Sequence, residues 1–295
     1  MIRTMTALLL TGLTLSAGCG SDSTEEQAQA TTMDNTELSE IDAATWKALA
    51  QRRIFFGHQS VGRDMMNGMR RVLERHPHIG MAVVGADDPA EVQGPAFIES
   101  RIGKNREPGT KKDAFTAVLD GGFGDERGAV AMYKYCYVDM QPHTDPHQLF
   151  EDYVGQIETL RERFPGLTIV HFTVPLKTAP TGLKETVKTY LGRSTETALN
   201  IKRNRYNQLM RERFAGVDPL FDLALLESTR PDGSRAYSTY RGQKVYMLAP
   251  EWTSDGGHLN EEAQVMAAER LLVFLAGLVD VDAGAAELAD ASGAD

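Results

Sequence analysis

Between about residues 50 and 280 the chain alternates between short, continuously apolar runs and longer segments with helical spacing, and this alternation limits its folds to a few. Residues 53–57 (Arg-Ile-Phe-Phe-Gly), 81–84, 129–135, 167–172 and 219–222 read as strands. Residues 61–75, 111–119, 149–164, 195–214 and 261–278 read as helices. Strands that are apolar on both faces belong to a parallel sheet covered by helices on each side, an α/β architecture. Binding sites in such sheets lie at the carboxyl ends of the strands, so reactive residues are sought just after each strand. Residues 234–248, with Tyr237, Tyr240, Val245 and Tyr246 around Arg241-Gly242, read as a hairpin inserted before the last helix.

The chain has 295 residues and a net charge of −10, which argues against a nucleic-acid partner. The acidity sits at the ends. Residues 20–42 hold seven acidic residues and no Lys or Arg, and residues 280–295 hold five more and again no base. The middle is close to neutral, so no acidic-surface function is read into it. Residues 1–18 have a basic start (Arg3), an apolar run around Leu8-Leu9-Leu10 and a small-residue finish, the build of an export signal. Leu15-Ser16-Ala17-Gly18-Cys19 resembles a bacterial lipobox. The resemblance implies acylation of Cys19, including palmitate-type chains, and a lipid anchor in the cell envelope. Gly20 lacks the Asp that keeps some lipoproteins at the inner membrane, which favours the outer one. Residues 19–42 read as a flexible acidic tether, 43–279 as the folded domain and 280–295 as a disordered acidic tail.

Two segments carry the chemistry. Gly57-His58-Gln59-Ser60-Val61-Gly62 follows the first strand and opens a helix. Ser60 there fits either a helix N-cap or a nucleophile beside the helix's unpaired N–H groups. Ser254-Asp255-Gly256-Gly257-His258-Leu259-Asn260 precedes the last helix. A serine hydroxyl is a weak nucleophile until a His takes its proton, and a carboxylate fixes that His in the correct tautomer. The two glycines would let Asp255 curl back onto His258. The same segment also fits a turn whose helix is capped by Asn260.

The Phe-Gly-x-x-Ser block and the Asp-x-x-His-Leu-Asn block together resemble the SGNH (GDSL-type) hydrolases, over most of residues 50–278. The resemblance implies a flavodoxin-like three-layer α/β/α sandwich and a Ser60-His258-Asp255 triad that needs no cofactor or metal. Ile102-Gly103-Lys104-Asn105 is similar to the family's second block, which makes Gly103 the implied oxyanion donor after the second strand. The chain departs from the family in two places. The first block has an extra residue and no Asp. The third lacks its usual Asn, because Lys134-Tyr135-Cys136-Tyr137 stands there; Asn105, a Tyr or Lys134 could take its place. The implied function is an ester hydrolase acting on a small-molecule or carbohydrate ester, such as O-acetyl groups in the envelope. The alternatives are an O-acyltransferase using the same triad and a non-catalytic ligand-binding lipoprotein.

The remaining candidates read more plainly. His143 and His147 have a ligand-like spacing, but Pro142 and Pro146 argue against a helical zinc site. His171 and Cys136 read as core residues. His58 reads either as an auxiliary group of the site or as an exposed residue. Trp252, Tyr240 and Tyr246 read as hairpin packing or as sugar-stacking groups. The basic residues of 177–205 read as a solvated face.

Overall fold

The computed structural model describes residues 36–179 and 195–292. Six strands form the central sheet: β1 (Arg53–His58), β2 (Val83–Gly85), β3 (Ala96–Arg101), β4 (Val130–Tyr133), β5 (Thr168–Phe172) and β6 (Leu220–Phe221). Their order is β2-β3-β1-β4-β5-β6, and every pairing is parallel. Set aside the short edge strand β2, and the remaining five run second-first-third-fourth-fifth, the flavodoxin-like arrangement. The chain places β2 and β3 on one side of β1 and then restarts at β4 on the other side. A crevice therefore opens between the carboxyl ends of β1 and β4.

The central position of β1 explains its apolar sequence. Ile54, Phe55 and Phe56 are fully buried, and successive side chains enter opposite layers. Phe55 stacks on Phe115 with centroids 6.0 Å apart, and Phe56 stacks on Phe172 at 5.4 Å. On the Phe55 side lie α3 (Pro108–Asp120), α4 (Pro146–Arg163) and α5 (Glu196–Phe214), which contribute Leu119, Tyr153, Ile157, Leu160, Met210 and Phe214 to one cluster. The other layer contains α2 (Val61–Arg75) and α7 (Glu261–Ser292), with α1 (Ala43–Ala50) beside α7. A short helix, α6 (Leu223–Ser228), and the antiparallel hairpin of β7 (Tyr237–Tyr240) and β8 (Gln243–Tyr246) precede α7.

The α/β class and the hairpin agree with the sequence reading, and three details differ. Strand β3 was not expected from the sequence, because Glu99 and Arg101 interrupt its apolar pattern. Gly103 consequently follows the third strand and not the second. The last helix continues to Ser292, into the Ala-rich stretch assigned to a disordered tail; alanine is the strongest helix former. At the other end Leu38 is buried in a short 3₁₀ turn, and Arg270 of α7 donates to the Thr36 carbonyl, so the end of the expected tether lies on the domain. The export signal and Cys19 lie outside the described residues. Among the described residues no helix is long and apolar enough to cross a membrane.

Helices α2 and α7 approach closely at Gly68, where a Cβ would overlap the Gln264 carbonyl oxygen. A backbone atom cannot step aside as a flexible side chain can. Gly68→Ala is therefore expected to destabilise the domain by about 1–3 kcal/mol, the usual cost of overpacking. In thermal unfolding followed by circular dichroism this is a fall of roughly 2–4 °C per kcal/mol. An unchanged Tm would contradict the tight seam.

Candidate active site

Ser60 stands between β1 and α2 in a backbone conformation that L-residues rarely adopt, φ 40° and ψ −109°. Such a conformation costs on the order of 1–3 kcal/mol and persists only where the surroundings hold it. The neighbouring Gln59 supplies the hold: its Nε2 donates to the carbonyls of Ile102 (3.1 Å) and Gly103 (2.9 Å). Gly62 N–H closes the turn onto the Gln59 carbonyl at 2.8 Å. As a result the Ser60 hydroxyl does not cap α2. It points instead at His258, with Oγ 2.6 Å from Nε2. Of the two sequence readings for Ser60, the N-cap is excluded.

His258 is oriented by its own loop. Asp255 Oδ1 accepts from the backbone N–H groups of Gly257 (2.9 Å) and His258 (2.8 Å), while Oδ2 lies 2.6 Å from His258 Nδ1. Gly256, at φ 83°, makes the turn that brings the carboxylate back onto the ring. Partial burial would raise the Asp255 pKa, but these bonds outweigh it and hold the carboxyl well below the usual range. Asp255 is therefore ionised at neutral pH. Asn260 caps α7 as expected, its Oδ1 accepting from Ala263 N–H at 3.0 Å. The loop is tied to α2 through Asp64 Oδ2, which accepts from Leu259 N–H at 3.3 Å.

The other implied residues, Gly103 and Asn105, lie in the loop after β3, whose Gly103 carbonyl is bonded by Gln59. Gly103 has φ 59°, and a Cβ there would stand 2.5 Å from Lys111 N, so glycine is required where this loop crosses α3. The N–H groups of Ser60 and Gly103 have no protein acceptor among the described residues. The Asn105 side-chain oxygen accepts from Lys111 Nζ at 3.2 Å, and Lys111 also pairs with the fully buried Asp139. Asp139 accepts from Arg106 N–H (2.8 Å) and Cys136 N–H (2.7 Å), which joins the loops after β3 and β4. Lys134 follows Tyr133, whose ring packs on Phe115 in the α3 layer, so Lys134 lies toward the opposite layer. Tyr137 borders the triad directly, its ring edge-on to His258 at 5.9 Å.

The structure also settles the minor candidates. His58 is buried, and its Nε2 lies 2.6 Å from Glu99 Oε2; Arg70 pairs with the other Glu99 oxygen. His171 is a core residue between Tyr153 and Phe214, and Cys136 is a buried free thiol. Burial and then the nearby Arg161 and Arg213 hold His171 down to about 3, so it is neutral. His147 accepts from Arg205 Nε at 2.9 Å. Trp252 is buried and donates to the Thr229 carbonyl, whereas Tyr240 is exposed. Arg203, expected on a solvated face, is buried: it donates to Tyr137 O (3.0 Å), Asn200 Oδ1 (2.6 Å) and Glu196 Oε1 (2.5 Å). Lys184, Lys188 and Arg193 lie outside the described residues. Sequence reasoning missed Glu99 along with β3, and missed Arg203 because a buried guanidinium looks like a surface one in a string of letters.

No family model and no curated protein matches the chain. Among solved structures it is similar to a provisionally assigned platelet activating factor from Streptococcus pneumonia (13% identity, TM-score 0.44, 86% of this chain and 100% of that one). It is similar too to the periplasmic domain of a lipopolysaccharide acetyltransferase from Salmonella ser. Paratyphi A (10%, TM-score 0.42, 84% and 93%). A third is a salicylyl-acyltransferase from a tetracycline biosynthetic pathway (11%, TM-score 0.38, 77% and 55%).

Glu99 offers a stability test of the layer beneath Ser60. Burial would raise its pKa, but hydrogen bonds from His58 and Arg70 outweigh burial and bring it from 4.5 down to about 2. A folded-state pKa below the unfolded one stabilises at high pH and is lost on acidification. Wild type is thus expected to exceed Glu99→Gln in unfolding free energy most above pH 4.5, with the gap closing as pH falls towards 2. Urea unfolding over that range measures the gap; one that does not narrow would contradict the pairing.

Proposed function

We propose that the protein is a serine hydrolase of the SGNH type that cleaves a carboxylic ester through an acyl-enzyme. The observation that carries this is the chain of two 2.6 Å contacts from Ser60 Oγ to His258 Nε2 and from His258 Nδ1 to Asp255. Each member occupies the position its role demands. His258 takes the hydroxyl proton as Ser60 Oγ bonds to the carbonyl carbon, and Asp255 stabilises the imidazolium that forms. The carbonyl π electrons move onto oxygen, where the N–H groups of Ser60 and Gly103 would receive them. The tetrahedral intermediate expels the alcohol with the proton from His258. Water, deprotonated by the same His, then frees the acid.

An acyl acceptor other than water would make the same site an O-acyltransferase. The partition of the acyl-enzyme between water and a polyol, read from the products, decides between the two. The lipobox-like Cys19 supports an envelope address, and hence a carbohydrate or other envelope ester as substrate.

Ser60→Ala and His258→Ala are each expected to lower kcat on a short p-nitrophenyl ester by at least about 10⁴-fold, with no further loss when combined, because triad members act as a unit. Asp255→Asn is expected to lose on the order of 10⁴-fold through the wrong His tautomer. Full activity in Ser60→Ala would overturn the proposal.

A further inference from the structure

We propose that the Tyr137 hydroxyl is a third oxyanion donor, at the place where the chain lacks an amide side chain after β4; this rests on the serine hydrolase reading. Tyr137 follows β4 and Ser60 follows β1, so the two face each other across the crevice that the strand order creates. The phenol oxygen is carried on a ring that stands edge-on to His258, the partner of Ser60 Oγ, with centroids 5.9 Å apart. It also presses on the loop of the catalytic His: a Cβ at Gly257 would stand 3.1 Å from this oxygen. Glycine at 257 is what leaves room for the phenol beside the nucleophile.

The residue is held from below. Arg203 Nε bonds the Tyr137 carbonyl at 3.0 Å, and Asp139 binds the preceding N–H, that of Cys136, at 2.7 Å. The guanidinium of Arg203 and the ammonium of Lys177 lie 5.8 and 5.3 Å from the ring centroid. Two cations beside the ring stabilise electron density drawn towards it and make the O–H a stronger donor. Burial nonetheless holds the phenol's pKa above its ordinary value, so the proton stays on the oxygen at neutral pH. Asn105 is exposed and its side-chain oxygen is held by Lys111, whereas Tyr137 is buried with its ring against His258.

In the resting site Ser60 Oγ donates to His258 Nε2. When Oγ bonds to the carbonyl carbon, its proton passes to His258 Nε2 and the π pair moves to the carbonyl oxygen. That oxygen is separated from Oγ by a single carbon. Tyr137 keeps its own proton and donates a hydrogen bond to the new anion. When the intermediate collapses the pair returns, and the leaving alkoxide takes the proton from His258.

Tyr137→Phe removes one oxygen and leaves the ring packing in place. It is expected to lower kcat on p-nitrophenyl acetate by about 10²–10³-fold, the usual effect of deleting one oxyanion donor, with KM little changed. The rate of Ser60 labelling by a fluorophosphonate, whose phosphoryl oxygen enters the same hole, should fall in parallel. The affinity of an aryl boronic acid, which binds as a tetrahedral adduct, should fall as well. A structural defect would instead lower the Tm and raise KM, and that pattern would overturn the proposal. Tyr137→Phe that labels within threefold of the wild-type rate, while Ser60→Ala does not label, would overturn this proposal alone. Ser60→Ala that labels at the wild-type rate would overturn the serine hydrolase reading and this one with it.

Discussion

The packing of α2 on α7 sets the distance between Ser60 and His258, because Ser60 immediately precedes the first helix and His258 stands two residues before the cap of the second. The two residues are 198 positions apart, and loop closure over such a span has to be offset by contacts elsewhere. The seam supplies them. Gly68 lets the backbones approach at Gln264, Arg71 Nη1 donates to Gln264 Oε1 at 2.8 Å, and Asp64 holds Leu259 N–H. The Ser60–His258 hydrogen bond is thus the end point of a helix pair whose crossing is fixed by a missing side chain.

The local conformations at the two ends of that bond are costly or tightly specified. Ser60 occupies strained backbone, and the Gln59 amide sustains it by gripping two carbonyls of the loop after β3. Asp255 spends one oxygen on its own loop's N–H groups and the other on the ring, so a single carboxylate both shapes the turn and sets the tautomer. Beneath them the protein buries ionisable groups. Lys134 Nζ and one oxygen of Glu227 have no hydrogen-bond partner among the described residues; burial lowers the Lys134 pKa and raises the Glu227 carboxyl to about 8, which favours their neutral forms. Stability is concentrated in the aromatic layers on either side of β1, and polar groups gather at the carboxyl end of the sheet.

The legible parts of the fold were those whose physics is local. Strand β1 and helices α4 and α7 show through because full burial writes a continuous apolar run and one-sided burial writes a helical period. The Asp255-Gly256-Gly257-His258 turn was legible for the same reason: carboxylate, turn and ring lie within four residues. Strand β3 was not, since Glu99 satisfies its charge through His58 and Arg70, which are distant in sequence. Arg203 was misread because Glu196 and Asn200 lie on its own helix and only the fold brings the Tyr137 carbonyl to it and buries it. For Tyr137 the sequence offered Asn105, a tyrosine and Lys134 as alternatives, and only the fold brings the Tyr137 ring edge-on to His258.

The central claim is that Ser60, and no other residue, carries the acyl group during turnover. The direct measurement is acid quenching of the protein during reaction with p-nitrophenyl acetate, followed by peptide mass spectrometry. The account predicts an acetyl group on the peptide containing Ser60 in the wild-type protein and none there in His258→Ala. Sustained hydrolysis with the acetyl group found elsewhere, or on His258→Ala at the wild-type level, would contradict it.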